Sequence, residues 1–271
     1  LVRRLLIAMA RVAAALAACS VWPQARGAED APFAGPSDSR ALRRTPVVEG
    51  FRDNKDAVVY VTGPMVRGEK PTTEEFFDLP GQREEKISLG SGFLIHPAGY
   101  VITNAHAVEK VISHEVTLSD GKKVPAELIA LVRSQDLALL KIDAGRPLPA
   151  VRLAKADDLL IGETVVVIAN PHGLLHTCTK GIVSAAGRAT NPSGLPGVTL
   201  RGLIQTDAAI NPGSSGGPWF NIAGEMIGVT TSRKPESENI GFAIPVAALR
   251  KEMPGMLDAE RRYGLATGFA V

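Results

Sequence analysis

From Ala57 onward the apolar residues of this chain arrive in short runs, over 58–61, 92–95, 100–103, 137–142, 164–168 and 226–230. The runs are rich in β-branched side chains and end at Gly, Pro, Asn or Asp, which predicts strands of a sandwich or barrel. Asp120-Gly121, between two such stretches, predicts a two-residue hairpin turn, and Ala223-Gly224 marks a second hairpin before Met226. One helix is predicted over 246–253, directly after Pro245. Residues 67–86 are polar, charged and weakly periodic apart from Phe76-Phe77, and read as a long loop. The expectation is an all-β fold whose strands fall into two similar halves.

Upstream of these runs the pattern changes. Arg3 and Arg4 precede an apolar stretch over 5–18, the arrangement of a secretory signal peptide. The stretch is shorter than the roughly 20 apolar residues of a spanning helix. Two cleavage readings stay open. Ala25-Arg26-Gly27 offers the small residues that a signal peptidase reads, whereas Leu16-Ala17-Ala18-Cys19 resembles a lipoprotein signal with Cys19 lipidated. Both imply export, and only the second implies membrane attachment. The expected division is a signal peptide over 1–27, a flexible leader over 28–50, lobes over 51–148 and 149–253, and a linker from 254.

A formal charge of +2 is too small to point to nucleic acid or an anionic membrane. Of the two cysteines only Cys178 lies beyond the signal stretch, so the exported chain is expected to depend on its packed core rather than on a disulfide. A lone cysteine of this kind is ordinarily a small buried hydrophobe.

The densest chemistry lies in Asn211-Pro212-Gly213-Ser214-Ser215-Gly216-Gly217-Pro218. Any surface turn uses Gly and Ser. The same residues also suit a nucleophile loop: Ser215 presents its hydroxyl, and the backbone around Gly213, Ser214 and Ser215 turns N–H groups toward a developing oxyanion. A serine hydroxyl needs a base, and the chain holds five histidines. His96 precedes Pro97 in a strand-end turn and reads as structural, and His114 reads as a surface residue. His172 and His176 have metal-ligand spacing for a helix, but Pro171 and Gly173 argue against a helix there, so no metal is expected. His106 directly follows the run 100–103, where a rigid strand can aim it into a cleft. Asp136, opening the run 137–142, is the candidate that orients it, with Asp207 as the rival.

Chain order separates the folds that could carry this set. Gly213-Ser214-Ser215-Gly216-Gly217 matches the G-x-S-x-G of α/β-hydrolases, but those need a histidine after the serine, and none follows Ser215. The order His106, Asp136, Ser215 is that of chymotrypsin. With these residues in place, Thr103-Asn104-Ala105-His106, Asp136-Leu137-Ala138-Leu139-Leu140-Lys141 and Asn211 to Pro218 together resemble the motifs of the HtrA (DegP/DegQ/DegS-like) serine proteases. The resemblance continues at Gly90-Ser91-Gly92-Phe93, Gly181-Ile182-Val183-Ser184 and Ile240-Gly241-Phe242-Ala243-Ile244-Pro245.

That resemblance implies a trypsin-like double β-barrel with a short C-terminal helix and no cofactor. It also implies ATP-independent cleavage of unfolded polypeptides in the periplasm or cell envelope by a homotrimer. A non-catalytic holdase on the same fold is the alternative function. The specificity pocket is expected at Ile210, Thr230 and Phe242, favouring small aliphatic residues before the scissile bond. Three departures stand out: Ser214 replaces the usual Asn, Cys178 and Lys180 fall in the family's regulatory-loop stretch, and no complete PDZ domain follows. Tyr263-Gly264-Leu265 and the residues after it read as the possible start of a truncated PDZ domain over 254–271.

Overall fold

The computed structural model describes residues 39–65, 87–155, 159–192, 195–234 and 237–262. The expected signal peptide with Cys19, the 67–86 loop and the stretch after 262 lie outside them. Helix α1 (Ser39–Arg43) is a single turn, exposed over 40–43, within a separate N-terminal unit that ends at Arg43.

The main unit begins with α2 (Pro46–Asn54), where the sequence pattern suggests a flexible leader and the start of a lobe. Local signals explain the helix. Thr45 is the N-cap, its Oγ1 accepting the Val48 N–H at 3.4 Å, and Pro46 occupies the first turn, where its missing N–H costs nothing. Asn54 then ties the helix end to the second barrel by donating to the carbonyls of Gly50 (2.9 Å) and Gly224 (3.3 Å). Phe51 packs against the core of its own chain.

Among the described residues twelve strands follow, all antiparallel. The first barrel comprises β1 (Val58–Pro64), β2 (Ile87–His96), β3 (Tyr100–Thr103), β4 (His114–Thr117), β5 (Lys123–Val132) and β6 (Leu137–Ile142), in the order β1-β2-β3-β6-β5-β4 and closed by pairing of β1 with β4. The second comprises β7 (Thr164–Ala169), β8 (Thr177–Thr190), β9 (Leu200–Thr206), β10 (Pro218–Phe220), β11 (Met226–Arg233) and β12 (Gly241–Pro245), closed by pairing of β7 with β10. Its order, β7-β8-β9-β12-β11-β10, repeats the first barrel strand for strand. The all-β double barrel is therefore the fold, and each half is one barrel.

Burial follows position. Strand β5 alternates exposed and buried residues at its start, as a sheet with one wet face does, whereas β3 is buried throughout and β11 is buried from Met226 to Ser232. One apolar core runs through both barrels, with Phe93, Tyr100, Leu140, Ile168, Trp219 and Phe220 fully enclosed.

Both expected hairpins form, but with a longer turn. The Leu118 N–H donates to the Lys122 carbonyl and the Gly121 N–H to the Leu118 carbonyl, which encloses three residues rather than two. Asn221 to Glu225 repeats the arrangement, with Gly224 at φ 70°. The last helix, α4 (Val246–Arg262), is twice the expected length and runs through Pro254. Val246, Leu249 and Met256 are buried along one face, and this anchorage outweighs the one backbone hydrogen bond that Pro254 removes. The helix packs against β5, and Arg250 donates to the carbonyls of Leu153 and Ala154 in the inter-barrel connection.

Leu140 is 0% exposed in β6, paired with Val101 and Leu128. Its replacement by Ala is expected to lower stability by about 2–5 kcal/mol. Urea denaturation of Leu140→Ala, followed by tryptophan fluorescence, measures this.

Candidate active site

The site forms along the seam where the barrels meet. Strand β3 ends at Thr103, and Asn104 turns the chain into α3 (Ala105–Val108), a single buried turn that carries His106. Asp136 follows a short 3₁₀ turn at Arg133–Gln135 and takes a left-handed conformation (φ 55°) just before β6. Because β3 and β6 are neighbours, the two residues meet.

Asp136 is fully buried, and His106 is 7% exposed. The His106 Nδ1 lies 2.9 Å from Oδ1 and 2.8 Å from Oδ2 of Asp136, and the His106 backbone N–H donates to Oδ1 at 3.1 Å. Asn104 Nδ2 donates to the Asp136 main-chain carbonyl at 2.9 Å, pinning the turn. A carboxylate against Nδ1 requires the proton there, which leaves Nε2 as the basic nitrogen.

One further partner was not anticipated from the sequence. Thr231, on β11 of the second barrel, donates its hydroxyl to Asp136 Oδ2 at 2.6 Å. The Ser215 hydroxyl makes a long 3.5 Å hydrogen bond to the carbonyl of the same Thr231. Thr231 thus touches both the carboxylate and the serine. A threonine in a run of β-branched strand residues carries no signal of such a role, since only the fold brings it beside Asp136.

The serine loop is supported from below by β11. Gly216 N–H donates to the Thr230 carbonyl, Thr230 N–H to the Gly217 carbonyl, and Thr230 Oγ1 to that same carbonyl, each at 2.8 Å. Trp219 Nε1 in turn donates to Thr230 Oγ1 at 2.8 Å. The N–H groups of Gly213 and Ser215 donate to no acceptor among the described residues. Ser214 differs: its N–H is spent on the Asn211 carbonyl at 2.9 Å, and its hydroxyl accepts the Asn211 N–H. It shapes the turn and has no main-chain donor to offer an oxyanion.

Beside Ser215 a small cavity of about 10 Å³ is lined by Ile210, Asn211, Pro212, Ser232 and Arg233. A larger one of about 170 Å³, next to Ile210 and Arg233, is edged by Glu238 and Asn239. Ile210, one of the expected pocket residues, lines both cavities. Thr230 and Phe242 do not line either cavity: Thr230 is 0% exposed with its hydroxyl turned to Gly217 and Trp219, and Phe242 packs in the core. Asp207 is outside the cavities too, because its Oδ1 accepts the Ile182 N–H at 2.7 Å.

The remaining candidates fall elsewhere. His96 Nδ1 accepts the Ala98 N–H at 3.1 Å, as a structural turn histidine does. His114 lies in β4, half-buried, with Nε2 3.1 Å from the Val108 carbonyl. His172 and His176 sit at positive φ (53° and 59°) rather than on a helix, and no metal-binding cluster occurs among the described residues. Cys178 is exposed on β8 rather than buried, although desolvation around its sulfur raises the thiol pKa.

Residues 90–229 match the family model of the trypsin-like peptidase domain. The chain is 41% identical over 199 residues to a Synechocystis sp. protein named serine protease HhoB, covering 72% of this chain and 46% of that one. A DegP-like protein of Ectopseudomonas mendocina, named as a periplasmic serine endoprotease, is 43% identical over 195 residues, covering 68% and 40%. The chain therefore spans less than half the length of these relatives. Among solved structures, an HtrA-type protease AlgW with a tripeptide aligns with TM-score 0.66 and 32% identity, over 81% of this chain and 65% of that one. The serine endoprotease from Yersinia pestis gives 0.62 and 32%, over 78% and 66%.

Gly216 has φ 83°, and a Cβ added there would collide with the Ser91 carbonyl and lie 2.6 Å from Thr103 Oγ1. Gly216→Ala is expected to push the loop off the first barrel, lowering stability by about 2–4 kcal/mol. It should also abolish labelling of Ser215 by a fluorophosphonate probe, read by gel fluorescence beside a denaturation curve.

Proposed function

The chain belongs to the trypsin-like peptidase family, and from that premise we propose that it is a serine endopeptidase with Ser215, His106 and Asp136 as its catalytic triad. The observation that carries this reading is the buried His106–Asp136 pair joined through Thr231 to Ser215. The Ser215 hydroxyl rests on a long contact, as catalytic hydroxyls often do before substrate binds. His106 Nε2 takes its proton as Ser215 Oγ attacks a peptide carbonyl, and Asp136 stabilises the imidazolium that forms. The unspent N–H groups of Gly213 and Ser215 hold the oxyanion. His106 then passes the proton to the leaving amine, and water cleaves the acyl-enzyme by the same relay.

The substrates we propose are unfolded or misfolded polypeptides in the periplasm or cell envelope, cleaved without ATP. Relatives named as periplasmic endoproteases and the signal-like N-terminal stretch support this location. No helix among the described residues is long and apolar enough to cross a membrane. A homotrimer is proposed on the resemblance to HtrA proteases, and light scattering that returns a monomer mass at micromolar concentration would reject it. The apolar wall that Ile210 provides beside Ser215 favours a small aliphatic side chain such as Ala or Val before the scissile bond.

Ser215→Ala is expected to lower kcat on casein about a million-fold, and Asp136→Asn about ten-thousand-fold through the wrong imidazole tautomer. Undiminished cleavage by purified Ser215→Ala protein would sink the assignment, whereas a wild type that neither cleaves casein nor takes a fluorophosphonate label would favour a holdase. Mass spectrometry of the cut sites tests the pocket: Ala and Val should dominate the position before the cut, and Lys or Arg there would contradict it.

A further inference from the structure

Ser91 lies on β2 of the first barrel with no exposed surface, yet its polar atoms reach into the second barrel. Its N–H donates to the Ser215 carbonyl at 2.7 Å. Its Oγ donates to the Gly213 carbonyl at 2.8 Å and accepts the Asn170 N–H at 2.8 Å. One hydroxyl from one barrel thus ties together two loops of the other.

The effect on the serine loop comes from the planarity of peptides, in which C=O and N–H point opposite ways. Three successive planes run from Pro212 to Ser215. In the first, the Pro212 carbonyl accepts the His172 N–H at 3.3 Å, which directs the Gly213 N–H to the opposite side. In the second, the Gly213 carbonyl is held by Ser91 Oγ and the Ser214 N–H by the Asn211 carbonyl. In the third, the Ser214 carbonyl accepts the Gly217 N–H at 2.9 Å, which directs the Ser215 N–H. Gly213, at φ 87°, joins the first two planes with no Cβ to restrict either. The middle plane turns about that glycine, and among the described residues Ser91 is the only side chain that holds it.

We propose that Ser91 is a positioning residue for the oxyanion site. Its hydroxyl fixes the Gly213–Ser214 peptide, and so sets the angle between the two N–H groups that receive the substrate oxygen. The role rests on Ser215 being the nucleophile. It also makes the first barrel, which contributes no N–H to that site, a determinant of its geometry.

The test is Ser91→Ala, with Ser91→Cys as a second variant of similar size and weaker donor strength. On a chromogenic peptide, Ser91→Ala should lower kcat about 10- to 100-fold with KM within about threefold, because the loss falls on the transition state. Ser91→Cys should fall between it and the wild type. The acid limb of the pH–rate profile, which reports His106, should stay in place. Amide exchange measured by NMR should show the Asn170 N–H at least about tenfold less protected in Ser91→Ala while core amides of both barrels keep their rates. If Ser91→Ala does not fold, Ser91→Cys carries the same measurements. A kcat within twofold of wild type, a change confined to KM, or a displaced acid limb would each overturn the role. Should the wild type itself fail to cleave peptide, the nucleophile assignment falls, and an unchanged Asn170 exchange rate would separately show that Ser91 holds nothing.

Discussion

A carboxylate with no exposed surface must take its hydrogen bonds from the protein, and at Asp136 they come from both barrels. His106 supplies a ring N–H and a backbone N–H from the first, and Thr231 supplies a hydroxyl from the second. Leaving such a group short of donors costs several kcal/mol, so the seam can close in one arrangement only. Satisfying Asp136 therefore orients the imidazole and registers β11 against the first barrel in the same step. Stability and chemistry share this interaction, which is why neither barrel alone contains a site.

The serine loop is constrained on two sides by different means. From below, β11 holds it through main-chain hydrogen bonds and the Thr230–Trp219 pair, all within the second barrel. From the other side it meets β2, through Ser91 and the close approach of Gly216 to the Ser91 carbonyl. A loop held only from below could still rotate its peptide planes. The cross-barrel contacts remove that freedom and convert a glycine-rich turn, which loses much entropy on ordering, into a fixed array of donors.

Much of this was legible in the chain. Strands β3 and β6 coincide with the apolar runs 100–103 and 137–142, because their ends are marked by turn residues and both faces are buried. His106 and Asp136 could be named as candidates because each stands beside such a run, Ser215 because it lies in the glycine- and serine-rich loop 211–218, and the order of the three matches one fold. Thr231 could not, since its partner lies 95 residues away and only barrel closure joins them. Thr230 and Phe242, also expected in the pocket, line neither cavity, because Thr230 turns its hydroxyl onto the Gly217 carbonyl and Phe242 packs in the core, and neither neighbour is visible in the sequence. Helix α2 was missed because its cap, Thr45-Pro46, sits in a polar segment with no long apolar run.

The two barrels repeat more than their strand order. At the end of β3, Thr103 Oγ1 donates to the Ser91 carbonyl on β2 at 2.7 Å, and at the end of β9, Thr206 Oγ1 donates to the Ile182 carbonyl beside it on β8, also at 2.7 Å. The third strand of each barrel is thus clamped to the second by the same bond at the same place. The corners beyond the two clamps differ. After Thr103, Asn104 leads into the turn that carries His106, and its side chain holds the Asp136 backbone. After Thr206, Asp207 folds back onto the Ile182 N–H and closes the corner on itself. The rival carboxylate is therefore consumed by a structural duty at the position equivalent to Asn104. One framework built twice leaves the corner after β3 open for an imidazole and seals its counterpart, so the chemistry of the seam comes from short corner sequences rather than from the barrels themselves.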